Sequence, residues 1–156
     1  MQTDKSYVSN RDYRKGEVFE VYFPDDGSFA KFSIKGNHPA VVIQDSNFPR
    51  KTVLVVPITG LLDKFGNEKD LIPTDIRLSQ TESFLTKDSV MKCEQISVLS
   101  RNDLGKRLGK LSNELIFLLD IQLMSVLELQ NTVDQIVESE IIKRYGESDE
   151  EQGDIA

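Results

Sequence analysis

The stretch TVLVVPIT, residues 52–59, decides the fold. Six of its eight residues are β-branched, which suits a pleated strand better than a helix. Its apolar residues follow one another without alternation, so both faces of the strand are expected to be covered. Upstream, AVVIQ at residues 40–44 is a second run of the same kind, and the short polar segment between them makes the two a hairpin of buried strands. Further upstream, GEVFEVYFP at 16–24 places Phe19, Val21 and Phe23 at every second position and is stopped by Pro24 and the turn formers Asp25, Asp26 and Gly27.

Downstream of the hairpin, GLLDKFGNEKD at 60–70 reads as a polar loop. IPTDIRL at 72–78 and SVMKCEQISVL at 89–99 then add strands carrying Ile72, Ile76 and Leu78, and Val90, Cys93, Ile96 and Val98. Four to six short strands at this spacing predict a mainly β fold closed into a small barrel. After Arg101 the period changes to that of a helix. Ser112 is a good N-cap, with Glu114 in the first turn near the positive end of the helix dipole. LIFLLDIQLMSVLEL at 115–129 has 11 apolar residues in 15, so this helix is expected to be covered on most sides. Thr132 and Gln135 have capping-box spacing and predict a restart; Val133, Ile136, Val137 and Ile141 continue at helical spacing to a C-cap at Gly146. The predicted organisation is a loosely held arm at 1–13, a barrel with its helix at 14–127, a helical extension at 128–146, and a disordered acidic tail at 147–156.

Length and composition are those of one globular domain: 156 residues, 38% apolar and 29% charged, which excludes a fibrous or mainly disordered chain. The longest apolar run falls far short of the roughly 20 residues that cross a bilayer. No apolar h-region opens the sequence, so no signal peptide is expected. A lone cysteine, Cys93, has no partner for an internal disulfide, which fits a cytoplasmic setting. The net charge of −7 is unevenly spread: residues 1–111 hold 17 Lys/Arg against 15 Asp/Glu, and residues 112–156 hold 2 against 11. The barrel part is thus slightly basic and open to a nucleic-acid partner, since phosphate contacts depend on local charge.

In order and spacing, RKGEVFEVYFP (14–24), HPAVVIQD (38–45), TVLVVPIT (52–59), LIPTDIRL (71–78), KDSVMKCEQI (87–96) and LGKLSNELI (108–116) resemble the MazF/PemK/Kid family of toxin endoribonucleases. The resemblance implies an SH3-like barrel of the MazF/CcdB type and a homodimer. It implies cleavage of single-stranded RNA with no metal or other cofactor, and neutralisation by a small MazE/PemI-like antitoxin. An alternative on the same scaffold is a module that has lost cleavage and binds RNA, inhibits gyrase as CcdB toxins do, or regulates.

Metal-free cleavage needs a base for the 2′-hydroxyl proton, an acid for the departing 5′-oxygen, and donors for the phosphoryl oxygens. His38 stands where the family carries its phosphate-binding arginine. An imidazole can give or take a proton near neutral pH, whereas a hydrogen-bonded loop histidine beside Pro39 would do no chemistry. Thr59 matches the family's phosphate-donating threonine; otherwise it is a strand-end residue satisfying a turn. Gly60 stands where relatives often carry a serine, and Ser97 where they carry an arginine. Lys92 and Glu94 match the Arg and Asp of the Kid-type active site and, on one strand, would share a face; the alternative is a cross-strand charge pair. Lys31 and Lys35, interleaved with Phe29 and Phe32 in the first long loop, have the lysine-and-aromatic pattern that holds unpaired nucleotides, though the two phenylalanines are equally suited to tucking onto the barrel. Arg77 is a further cation for the RNA backbone, or a plain surface charge.

Overall fold

The computed structural model describes residues 12–25, 34–46, 51–82 and 84–153, with side chains as far as residue 146. Of the residues singled out above, Phe29, Lys31 and Phe32 lie outside this set, as do residues 1–11 and 154–156. The chain divides into two units, Met1–Leu123 and Met124–Ala156.

In the first unit, seven strands form an antiparallel sheet that curls into a half-barrel: β1 (Glu17–Phe23), β2 (Gly36–Val42), β3 (Thr52–Gly60), β4 (Asp75–Leu78), β5 (Ser89–Lys92), β6 (Ser97–Ser100) and β7 (Arg107–Lys110). The order is β4-β5-β3-β2-β1-β7, with β6 also on β3. β3 is the hub, as its apolar run requires: β2 covers one edge, while β6 and then β5 run along it through Thr52↔Ser100 and Thr59↔Val90. Phe19, Val21 and Phe23 of β1 meet Ala40 and Val42 of β2 and Val53 and Val55 of β3 in one buried cluster.

The expected arm does not end before the core begins. Tyr13 is buried in the same cluster, with its backbone N–H donating to Ser46 Oγ and its carbonyl accepting from Ser46 N–H. β2 also starts earlier than the β-branched run suggested, so His38 is a strand residue opposite Val21 rather than a loop residue. The stretch 89–99 is two strands. A turn closed by Gln95 N–H to the Lys92 carbonyl at 2.9 Å separates β5 from β6.

Helix α1 (Asn113–Val126) starts as the sequence predicts, with Ser112 Oγ accepting the Leu115 N–H. Its first turn lies on Gly16, whose φ is +90° and where an added Cβ would stand 2.5 Å from Ile116 Cδ1. Leu119 is fully buried while Phe117, Leu118 and Ile121 are exposed, so this chain alone does not cover the helix on most sides. The extension is a separate helix, α2 (Gln130–Gly153), after a break where Glu128 adopts a φ of 55°. It begins at Gln130, just before the predicted cap, and runs through Gly146 into the segment expected to be disordered. The glycine costs about 1 kcal/mol in a helix interior, and the glutamates beyond it are good helix formers. No single described helix is long and apolar enough to cross a membrane.

Candidate active site

The β2–β3 ladder runs from Val42↔Val55 to Ala40↔Pro57 and stops there. Pro57 and Pro39 lack the N–H that a ladder needs, and beyond them β3 is held by β5 through Ile58↔Met91, Thr59↔Val90 and Gly60↔Ser89. Where the two strands part, a groove of about 810 Å³ opens. Asn37, His38 and Pro39 line one side, and Ile58, Thr59 and Gly60 the other. Continuing the register past Ala40↔Pro57 sets position 38 across from position 59. The structure therefore brings His38, Thr59 and Gly60, 22 residues apart at most, to the two lips of one opening.

His38 is half-buried, tilted against Phe23 with ring centroids 6.4 Å apart. Its Nε2 lies 2.8 Å from the Lys35 carbonyl, which can only accept, so Nε2 carries the hydrogen and Nδ1 is left as a proton acceptor in the neutral ring. Thr59 Oγ1 accepts a hydrogen bond from Lys69 Nζ at 3.2 Å, which leaves its own O–H to donate elsewhere.

Nothing in the polar loop expected at residues 60–70 marks Lys69 as part of a site. That segment folds back on the end of β3. Asp63 Oδ1 accepts from the N–H groups of Phe65 and Asn67, Gly66 takes a φ of +82°, and Lys69 N–H donates to the Leu61 carbonyl. An aspartate two residues before a backbone N–H and a glycine at positive φ are turn chemistry, and D-K-F-G-N carried that signal. The loop between β4 and β5 closes the far side with Phe84, Leu85, Thr86 and Lys87. It is pinned by Asp88, whose carboxylate accepts the Gln80 N–H and whose carbonyl accepts the Leu61 N–H. Burial lowers the pKa of Lys69 below the ordinary lysine value, and the neighbouring charges of Lys87 and Lys92 lower it further. Glu20, on β1, is the acidic residue lining the same groove.

The remaining predicted residues fall elsewhere. Lys92 ends β5 and binds Asp75 Oδ2 at 2.8 Å; the Asp75 side chain is fully buried and that of Lys92 partly so. Glu94 sits exposed in the following turn, so the two do not share a strand face as expected. Lys35 pairs with Asp25, and Arg77 with Glu68. Ser97 Oγ donates to the Gln95 carbonyl. Burial pushes the Cys93 thiol up to about 12. Among the described residues, no three His, Cys, Asp or Glu side chains gather as a metal site.

Comparison with known proteins identifies the scaffold. The family described as PemK-like, MazF-like toxin of type II toxin-antitoxin system matches residues 14–127. The chain belongs to this family. A curated relative, the endoribonuclease MazF of Staphylococcus saprophyticus, is 34% identical over 97 residues, 61% of this chain and 77% of the relative. Among solved structures, a MazF from Deinococcus radiodurans superposes with a TM-score of 0.59 at 16% identity, covering 76% of this chain and 99% of the other. A mycobacterial endoribonuclease in complex with its cognate antitoxin gives 0.55 at 18%, covering 75% and 96%. At these identities the superpositions establish the MazF-like fold, an open antiparallel barrel followed by helices.

Proposed function

We propose that this MazF-like toxin is a metal-independent endoribonuclease that cuts single-stranded RNA in the groove where β2 and β3 part. The observation that carries this reading is the meeting of His38 and Thr59 at the lips of one opening. The substrate's 2′-oxygen attacks the adjacent phosphorus, the P–O5′ bond breaks, and the 2′-hydroxyl proton passes to His38 Nδ1. Thr59 donates its hydroxyl hydrogen to a non-bridging oxygen as charge develops there. The departing 5′-oxygen takes a proton from an acid at the groove, a task suited to the acidified ammonium of Lys69. The products are a 2′,3′-cyclic phosphate and a 5′-hydroxyl. Lys92, held behind the groove by Asp75, acts in this scheme through its charge on Lys69, and Glu94 takes no step.

The family membership and the endoribonuclease name of the Staphylococcus saprophyticus relative support the reading. A MazE-like antitoxin is the proposed partner, in line with the mycobacterial complex. A homodimer is proposed as well, for which the exposed Phe117, Leu118 and Ile121 of α1 provide apolar surface. Incubation with a pool of single-stranded RNA in EDTA tests the proposal. It expects sequence-selective cuts with 5′-hydroxyl ends; intact RNA, or cuts that need added metal and leave 5′-phosphates, would overturn it. RNA bound but left whole would instead favour the module without cleavage, the reading that His38, Gly60 and Ser97 suggest by standing where relatives carry stronger donors.

A further inference from the structure

We infer that Lys69 and Lys87 form a two-ammonium clamp for a phosphate of the bound strand at the Thr59 end of β3, supplying the positive charge that position 38 lacks. The inference rests on the reading of the groove as an RNA site.

The two ammonium groups stand at two consecutive residues of β3, and both lysines line the groove. Lys69 Nζ is 3.2 Å from Thr59 Oγ1, and a Cβ added to Gly60 would stand 3.0 Å from both Cε and Nζ of Lys87. The glycine therefore makes room for a cation where a serine would have placed a hydroxyl. Six of the eleven other described Lys and Arg residues of the barrel are matched by carboxylates: Lys15 by Asp120, Lys35 by Asp25, Arg77 by Glu68, Arg101 by Asp12, Arg107 by Glu17 and Lys92 by Asp75. Among the described residues, neither Lys69 nor Lys87 has an ion-pair partner within 4 Å. Of the acids near them, Glu68 pairs with Arg77, Asp88 accepts the Gln80 N–H and Asp63 accepts two N–H groups of its own turn, while Glu20 lines the groove. Lys87 lies near enough to lower the pKa of Lys69, an effect that Asp63 opposes to a lesser degree, and two like charges so placed favour an anion between them. Thr59, accepting from Lys69, has its hydroxyl hydrogen available for the same anion. Two ammoniums and a hydroxyl suit one phosphodiester.

The test uses a fluorescently labelled single strand of 2′-O-methyl RNA, which lacks the attacking hydroxyl, titrated by anisotropy across a salt series, with cleavage of ordinary RNA measured in parallel. Lys69→Gln and Lys87→Gln are each expected to weaken binding at least fivefold at low salt and to flatten the slope of log affinity against log salt by about 0.7, the single-strand value per phosphate contact. Gly60→Ala is expected to weaken binding in the same direction by displacing the Lys87 ammonium. Lys51→Gln, which removes the same charge beyond the opposite end of β3, serves as the control and is expected to bind as the wild type does. Lysine variants with wild-type affinity and slope, losses no greater than that of Lys51→Gln, or a wild type that binds no oligonucleotide would overturn the clamp. Unchanged binding by Gly60→Ala would remove the part assigned to Gly60. Lysine-dependent binding with ordinary RNA left intact would keep the clamp and reject the nuclease; cleavage indifferent to both lysines would reject the clamp and the acid role given to Lys69 while keeping the nuclease.

Discussion

Cys93 and Lys92 are neighbours with opposite demands on their surroundings. The Cys93 thiol lies in an apolar interior with the Asp75 carboxylate near, and burial first, then that charge, raises its pKa from 9.0 to about 12. Below pH 9 the thiol is protonated in the folded and unfolded chain alike. Above it the unfolded chain loses the proton first, so stability falls as pH rises toward 12, by up to about 1.4 kcal/mol per unit. Urea unfolding of wild type and Cys93→Ala at pH 8 and pH 10 checks this: the wild type's advantage shrinks by about 1 kcal/mol at pH 10, and a constant difference would contradict it. Among the described residues Lys92 is the only ion-pair partner of the buried Asp75 carboxylate, whose Oδ1 has no hydrogen bond there. Lys92→Met strands that carboxylate and is expected to destabilise the protein by about 3 kcal/mol in urea, with Lys92→Met/Asp75→Asn recovering much of the loss.

At the scale of elements, the contact between Gly16 and α1 decides how the helix meets the barrel. A side chain at 16 would require a left-handed conformation and would overlap Ile116, so Gly16→Ala is expected to cost about 2–4 kcal/mol and lower the melting temperature; an unchanged melting temperature would show that the helix shifts freely. The strands and the start of α1 were legible in the sequence because they follow from local period and capping: β1 from Phe19, Val21 and Phe23, β3 from its β-branched run, α1 from Ser112. The errors arose where tertiary partners override local pattern. MKCEQ looks like continuous strand, yet the chain turns at Cys93 because β6 takes up β3 where β5 leaves it. Tyr13 looks like part of an arm because nothing in MQTDKSYVSNRDY signals the pocket that receives its ring. α2 outruns Gly146 because glutamate propensity outweighs one glycine.

At the scale of the whole molecule, the groove is a consequence of topology. β3 pairs with β2 along Val55–Pro57 and with β5 along Ile58–Gly60, and the opening lies where its pairing with β2 stops. His38 and Thr59 were readable through the family resemblance, but Lys69 and Lys87 were not: each reaches β3 from a loop, and only the folded chain shows both ending at Thr59 and Gly60. The central claim is that these two lips hold the reacting groups. The most direct measurement is single-turnover cleavage of a short RNA in EDTA by wild type, His38→Ala and Thr59→Ala, each checked for an unchanged melting temperature. Loss of one transition-state group typically costs a few kcal/mol, so each variant is predicted to cut at least tenfold more slowly. Wild-type rates in both variants would place the chemistry elsewhere.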